Sequence, residues 1–242
     1  MQFIPIKTRV CNPPKDNLYT ILDESLKDVR EEDVVVVTSK VVSIHEGRCV
    51  PIEGTDKSAL VAEEADYICN PTERIHPLTI THNALISSAG IDESNSGKYY
   101  TLLPEKPFES AREIHTYLKK RFGLANLGVI ISDSHSLPFR YGAMSISIGY
   151  WGFEPVESHI GRPDLFGRLM KYSSTNIVDS IAAGCALVSG ECDEAQPIVI
   201  VRDIPNLVFT EVDVRNKLLI PHEEDMYKIL FRDFKKSKES AA

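Results

Sequence analysis

A run of four valines, Val34 to Val37, is the feature that most limits how this chain can fold. Asp33 precedes the run and Thr38 follows it, so the segment has the length of one strand, and β-branched residues favour strands. A segment that is apolar at every position, rather than at alternate ones, is typical of a strand with both faces covered. The sequence therefore predicts a buried strand inside a layered domain.

Helical and strand-like patterns interleave along the rest of the chain. The apolar spacing predicts helices over 16–29, 56–69, 108–122, 175–188 and 223–234. It predicts strands over 3–10, 33–38, 79–88, 99–103, 127–131, 145–151 and 197–201. These elements lack the regular period of a barrel, so we expect an α+β (mixed α/β) fold. Residues 1–234 are expected to form a single domain, with two intertwined subdomains as the alternative, and residues 235–242 a flexible tail.

The composition excludes several classes of protein. The 242 residues include 35 acidic and 27 basic ones, a formal net charge of -8, which disfavours a general nucleic-acid binder. No uninterrupted apolar run approaches the roughly 18 residues that a membrane span needs, and the N-terminus has no signal-peptide pattern. The 5 cysteines are odd in number and form no C-x-x-C motif, which favours a reducing compartment. We therefore expect a cytoplasmic enzyme without nucleic-acid or membrane partners.

Three acidic residues lie where an α/β fold commonly binds ligands. Asp92 follows an apolar strand in a turn-rich loop, Asp133 ends a buried strand, and Glu191 follows a helix and a glycine. Such positions can bring carboxylates into one crevice, where hard oxygen ligands suit Mg²⁺ or Mn²⁺. Each residue could instead cap a turn or helix. Sequence spacing alone does not decide between a shared metal site and three separate caps.

Four cations are candidates for binding an anionic substrate: Lys40, Arg48, Arg140 and Arg162. Arginine matches phosphate and carboxylate oxygens well, although any of the four could be a solvated surface charge. The chain has no G-x-x-x-x-G-K-[ST] and no G-x-G-x-x-G motif. A phosphate would therefore be held by a metal ion, by Lys and Arg, or by a nest of backbone N–H groups.

Several of these segments together resemble one family, the coenzyme F420-0:L-glutamate ligases. The similarity includes Thr38-Ser39-Lys40, Gly90-Ile91-Asp92 and Ser132-Asp133-Ser134. Order and spacing hold from about residue 35 to residue 202, through segments 35–43, 46–48, 89–95, 103–104, 129–134, 138–142, 161–168 and 190–191. Each segment is short, but the ordered set is specific.

The resemblance implies a GTP-dependent ligase with an α+β fold and an intertwined homodimer. The γ-phosphate of GTP would activate a substrate carboxylate as an acyl phosphate, and the amine of L-glutamate would then displace phosphate. By position, the ligands of Mg²⁺ or Mn²⁺ would be Asp92, Asp133, Ser134 and Glu191. The nucleotide would be bound by Ser39, Lys40, Arg48, Arg140 and Arg162, with Lys40 and Arg140 as catalytic cations.

The chain departs from the family pattern beside these positions. Ile44 and Leu137 replace family cations, and the segment 192–196 replaces a glycine-rich stretch. The predicted metal ligands are kept, so we expect a retained metal–nucleotide site with a different acceptor, such as a folate-like γ-glutamyl compound or another small carboxylate. Two alternatives stay open: a ligase with an unrelated acceptor or nucleotide, and a non-catalytic nucleotide- or metal-binding relative.

Overall fold

The computed structural model describes residues 1–69 and 77–237. Its helices in these ranges are α1 (Leu18–Ser25), α2 (Ser39–Glu46), α3 (Lys57–Glu64), α4 (Pro107–Phe122) and α5 (Ile177–Ser189). Its strands are β1 (Gln2–Ile6), β2 (Val34–Thr38), β3 (Cys49–Pro51), β4 (Tyr67–Cys69), β5 (Leu78–Thr81), β6 (Ala84–Ser87), β7 (Tyr99–Thr101), β8 (Gly128–Ser136), β9 (Ala143–Trp151), β10 (Val156–Ser158), β11 (Ser174–Asn176), β12 (Ile198–Arg202) and β13 (Phe234–Lys236). The mixture of elements confirms the α+β class.

The valine run forms β2, the middle strand of a five-stranded sheet with the order β1-β12-β2-β8-β9. Strands β2 and β8 are parallel, and the other neighbours are antiparallel. Successive side chains of a strand point to opposite faces, so the run supplies both faces of the sheet. All four valines are buried.

Helices cover both faces of this sheet. On one face, Val35 and Val37 belong to a core cluster with residues of α1, α2 and α4. On the other face, Val34 and Val36 pack in a cluster that includes Val178 of α5. The burial predicted for the valine run is therefore confirmed, and its cause is a layer of helices on each side.

Smaller sheets extend from this core. An antiparallel sheet has the order β13-β4-β5-β6, and two-stranded pairs join β3 to β7 and β10 to β11. A third core cluster, which includes Val61 of α3 and Ile91, lies beside the β3–β7 pair. None of the helices in residues 1–69 and 77–237 is both long and apolar enough to cross a membrane.

Two of the predicted helices differ from the structure: one is shorter than predicted, and the other is not an α-helix. The helix predicted over 56–69 ends at Glu64, because Tyr67–Cys69 form β4 and pair with β5 and β13. The helix predicted over 223–234 is wrong: the segment contains a short 3₁₀ turn at Lys228–Phe231, and Phe234–Lys236 form β13 on the edge of β4. Residues 235 and 236, assigned to the tail, thus lie in a strand, and residues 238–242 lie outside the described residues.

The observed bounds of other helices and strands also differ from the predicted ones. The strand predicted over 79–88 is a hairpin of β5 and β6, in which His82 and Asn83 both have positive φ angles, as a two-residue type I′ turn requires. The helix predicted over 16–29 is the shorter α1, which Asn17 caps with its side chain. Helix α2 was not predicted, since its β-branched residues resemble those of the preceding strand.

Candidate active site

A cavity of about 970 Å³ opens at the edge of the sheet where the parallel strands β2 and β8 end. Its walls come from the start of α2, the end of β8, the loop after Gly90 and the segment 189–197. The carboxyl ends of parallel strands are the usual ligand-binding edge of such sheets. This cavity contains most of the residues that the sequence analysis selected.

The first wall is the junction of β2 and α2, which follow each other without a loop. Ser39, the first residue of α2, is buried, and its hydroxyl donates to Oδ1 of Asp133 at 2.5 Å. The next residue, Lys40, places its Nζ 2.5 Å from Oδ2 of Asp92. It also donates to the backbone oxygen and the hydroxyl of Ser94. The junction therefore connects the two carboxylates.

Asp92 is held in place by its own loop. Its backbone exchanges hydrogen bonds of 3.0 and 2.8 Å with Thr101. Both the N–H and the hydroxyl of Ser94 donate to its carboxylate at 2.8 Å. Desolvation would raise the pKa of Asp92, but the hydrogen bonds from Lys40 and Ser94 outweigh it and lower the pKa. Asp92 is therefore a fixed anion at neutral pH.

Asp133 lies in β8 just after a bulge, where the β8–β9 register shifts between Ile131 and Ser132. Bulges next to functional sites re-aim side chains. Burial raises the pKa of Asp133 to about 7, the bond from Ser39 opposes this rise, and the negative charges of Asp92 and Glu191 add to it. The three carboxylates thus influence one another across the cavity.

Glu191 follows α5 and pairs with Ser134, whose hydroxyl donates to its Oε2 at 2.9 Å. Neighbouring residues of a strand point to opposite faces, so Asp133 turns toward Ser39 while Ser134 turns toward Glu191. In the described residues, no group of three or more His, Cys, Asp and Glu side chains is close enough together to hold a metal ion. The four predicted ligands line one cavity without forming a closed cage.

The donor set nevertheless fits a hard divalent cation. Carboxylate and hydroxyl oxygens are the ligands that Mg²⁺ and Mn²⁺ prefer. Magnesium is often bound by one or two carboxylates together with substrate phosphates, rather than by a complete protein cage. Burial is the main cause of the raised pKa of Asp133, and the negative charges of Asp92 and Glu191 add to it; a bound cation would offset these negative charges.

The structure does not bring the three predicted arginines into the cavity. Arg48 pairs with Glu64 and donates to the backbone oxygen of Leu103. Arg140 and Arg162 are exposed, with side-chain contacts to the Phe139 carbonyl and to Glu157 respectively. Within one chain, Ser39 and Lys40 are thus the predicted nucleotide contacts that reach the cavity.

Sequence reasoning missed other polar residues of the cavity. Lys57 and Arg9 line it, and each is paired: Lys57 with Glu93, and Arg9 with Asp16 and Glu24. No local pattern singled out these two cations. Asn95 belongs to a segment that matched the family, and its amide donates to the Cys192 carbonyl at 2.7 Å.

The two residues that replace family cations differ in their surroundings. Ile44 is almost completely buried in the core behind the cavity, whereas Leu137 is exposed at the rim. Close by, three successive residues, Ser88, Ala89 and Gly90, have left-handed backbone angles. Such strain in non-glycine residues concentrates at functional sites, and here it precedes Asp92.

Comparison with known proteins gives a consistent result. A family model described as F420-0:Gamma-glutamyl ligase matches residues 5–203. The coenzyme F420:L-glutamate ligase of Methanocaldococcus jannaschii is 33% identical over 217 residues, covering 83% of this chain and 86% of that protein. The protein of the same name from Methanothermobacter thermautotrophicus is 31% identical over 230 residues, covering 87% and 90%. That from Halorubrum lacusprofundi is 37% identical over 211 residues, covering 78% and 81%.

Proposed function

The chain belongs to the F420-0:gamma-glutamyl ligase family, and from this we propose that it forms an amide bond between a substrate carboxylate and L-glutamate. We propose GTP as the energy source and Mg²⁺ or Mn²⁺ as the cofactor. The observation that carries the proposal is the meeting of Asp92, Asp133 and Glu191 in one cavity with Lys40.

The reaction has two steps. A carboxylate oxygen of the acceptor attacks the γ-phosphorus of GTP, and the bond to the β-phosphate oxygen breaks, which yields GDP and an acyl phosphate. The amine nitrogen of L-glutamate then attacks the acyl carbon, inorganic phosphate leaves, and the amine loses a proton to solvent. Phosphoryl transfer of this kind requires mainly positioning and charge neutralisation.

The residues of the cavity would supply both requirements. A divalent metal, when bound, neutralises phosphate charge and orients phosphate oxygens, and Asp92, Asp133, Ser134 and Glu191 would hold it. Ser39 fixes one carboxylate oxygen of Asp133, which leaves the other available. Lys40 lies against Asp92 and would face charge that develops on the transferred group.

The acceptor is proposed to differ from that of the family. Two positions that are cations in the family pattern are apolar here: Leu137 is exposed at the rim of the cavity, and Ile44 is buried in the core behind it. The absence of these two cations is the reason to propose another acceptor, such as a folate-like γ-glutamyl compound or another small carboxylate. A non-catalytic relative that binds nucleotide and metal without turnover is the second candidate, because Arg48, Arg140 and Arg162 lie outside the cavity.

We propose that the protein is a homodimer. The hairpin arm, which we define as residues 156–176, carries fully exposed apolar side chains, Leu165 and Phe166 among them. Apolar groups of this size and exposure usually mark a contact surface, and a second copy of the chain is the partner that the family resemblance implies. A cytoplasmic location stays a prediction from the cysteine content.

Calorimetry with GTP, ATP and GDP, each with and without Mn²⁺, tests the nucleotide site directly. We expect Mn²⁺-dependent binding of GTP. If no nucleotide binds in a metal-dependent way, the ligase proposal is wrong. Where binding occurs, glutamate-dependent phosphate release with a panel of carboxylate acceptors separates the enzyme from the non-catalytic relative. Identification of the amide product by mass spectrometry then identifies the acceptor.

A further inference from the structure

Strand β5 has an inverted pattern of polar and apolar side chains. Its buried face carries Thr79 and Thr81, whereas its partly exposed face carries Leu78 and Ile80. Leu85 of β6 lies opposite Ile80 and extends the same partly exposed face. An antiparallel sheet that borders water normally has its polar residues on the outer face. The outer face of this hairpin is therefore suited to an apolar contact rather than to water.

The two halves of this outer face have different surroundings. Ile80 lies opposite Tyr67 of β4, and the ring of Tyr67 stacks on that of His222 with their centroids 5.4 Å apart. The C-terminal segment thus contacts this half of the sheet. Leu78 and Leu85 instead line the active-site cavity. The half of the face that borders the cavity is therefore available to a substrate.

The apolar face is held in a fixed position relative to the predicted metal site. The hydroxyl of Thr79 donates to the carbonyl of Ile86 at 2.7 Å and accepts from the N–H of Ala89 at 2.9 Å. These bonds fix the end of β6 and the turn 88–90, and Asp92 follows this turn directly. A substrate that lies on the apolar face is thus placed on the same wall as a carboxylate of the reaction site.

We propose that Leu78 and Leu85 form the acceptor subsite of the cavity, and that the acceptor is a carboxylic acid with an uncharged apolar body. The two leucines are diagonal neighbours on one sheet face, so they are roughly 7–8 Å apart, a separation that one aromatic ring can span. This inference rests on the proposed function, because it names the substrate class of that site.

The acceptor is the substrate that fits this face best. L-Glutamate and the phosphates of a nucleotide are charged, and transfer of a charged group to an apolar surface is unfavourable. The proposed reaction fixes only the carboxylate of the acceptor, so its body is the part that can contact the leucines. Burial of apolar area on both sides then stabilises the complex.

The subsite should select acceptors by their apolar body. In an apolar pocket, a single methylene group changes affinity by about 10-fold or more. We therefore expect phenylacetate to bind at least about 10-fold more tightly than acetate, which has the same charge and no ring. Succinate, which has a second carboxylate in place of the ring, should bind no better than acetate.

Ligand-observed NMR titrations of phenylacetate, acetate and succinate into the full chain with GDP and Mg²⁺ test the inference. Leu78→Ala and Leu85→Ala should each remove most of the preference for phenylacetate. Ile80→Ala is the matched control, since Ile80 lies opposite Leu85 on the same face and outside the described lining of the cavity. It should keep the preference, and melting temperatures verify that all three variants are folded.

Three results would overturn the inference while leaving the proposed function in place, provided that the wild type binds GDP with Mg²⁺. The first is that the wild type binds phenylacetate no better than acetate. The second is a preference that both leucine variants retain, or that Ile80→Ala loses equally. The third is weaker binding of GDP, and not of phenylacetate, by the leucine variants, which would assign the face to the nucleotide base. If the wild type binds no GDP in a metal-dependent way, the proposed function fails and the inference fails with it.

Discussion

The hydroxyl of Ser39 lies 2.5 Å from Oδ1 of Asp133, and this bond joins the first residue of α2 to the bulged strand β8. Lys40, one residue further along the chain, joins the same helix to Asp92. One turn of helix thus organises two of the three carboxylates.

Asp133→Asn should abolish glutamate-dependent phosphate release and leave the fold intact. The amide keeps the shape of the side chain and its contact with Ser39, but it loses the negative charge that a divalent metal requires. Phosphate release and circular dichroism measure the two properties. The control is Asp233→Asn at an exposed position outside the cavity. Turnover at the wild-type rate in Asp133→Asn would show that this carboxylate is not needed.

Lys40→Gln and Lys57→Gln form a matched pair. Both lysines line the cavity, and they pair with the consecutive acids Asp92 and Glu93. Only Lys40 contacts a predicted metal ligand, so Lys40→Gln should lower kcat about 100-fold, whereas Lys57→Gln should change it little. Steady-state kinetics with GTP as the varied substrate measures this difference. Equal losses in the two variants would contradict a special role for Lys40.

Asp16 should contribute pH-dependent stability. Hydrogen bonds from Arg9, together with those from the backbone of Asn12 and Asn17, lower the pKa of its carboxyl against the opposing effect of desolvation. Because the folded-state pKa lies below the unfolded value of about 3.9, this stabilisation is present at neutral pH. It is lost as the pH falls from about 5 toward the folded-state pKa.

Urea unfolding at pH 7 and at about pH 2.5 tests this expectation, because most of the loss falls below the unfolded pKa of about 3.9. Asp16→Asn should be less stable than the wild type at pH 7, and the difference should shrink at the lower pH. Asp233→Asn serves again as the control for loss of one carboxylate. A stability difference that is the same at both pH values would mean that the ionisation of Asp16 is not the cause.

Arg202 should be important for global stability. Its guanidinium donates to both carboxylate oxygens of Asp33 at 2.8 Å, and Asp33 is fully buried. Loss of one partner leaves a buried charge unpaired, so Arg202→Leu should lower the free energy of unfolding by about 3–5 kcal/mol. Arg30→Leu, which breaks an exposed pair with Asp28, should change it little. Denaturant unfolding of both variants measures the contrast, and equal effects would contradict it.

The exposed arm tests the proposed dimer. Phe166 is 96% exposed, and Phe166→Glu should shift the protein from dimer to monomer, since burial of a charge in an apolar contact is unfavourable. Met226→Glu, at an exposed apolar residue outside the arm, should leave the dimer intact. Sedimentation equilibrium measures both masses. A monomeric wild type would rule the dimer out.

Helices and strands that have a clear local pattern of apolar residues could be predicted from the sequence. Strand β2 is a continuous apolar run and helix α4 has a clear helical periodicity, and both are close to where the sequence indicated. Strand β13 was missed: Phe234 was predicted as the end of a helix and residues 235–236 as part of a tail, because the pairing of β13 with β4 connects distant parts of the chain. Local propensity contains no information about such a partner.

The same limit applies to the site. Ser39, Lys40, Asp92, Asp133, Ser134 and Glu191 were identified from short segments around strand ends, and the cavity contains them all. Arg48 lies in a segment of the same kind, yet its side chain turns to Glu64. The direction of a long side chain depends on its tertiary neighbours, which the sequence does not display. Lys57 was missed for the same reason.

Because β2 passes directly into α2, one wall of the cavity is rigid and the opposite wall is less so. Ser39 and Lys40 have no connecting segment of their own, so they can move only when the central sheet and its helix move with them. The opposite side is built from irregular backbone at 92–96 and 190–196, held by a few hydrogen bonds. Only this irregular side can therefore adjust to substrates of different size. Selection for a new acceptor would act first on its residues.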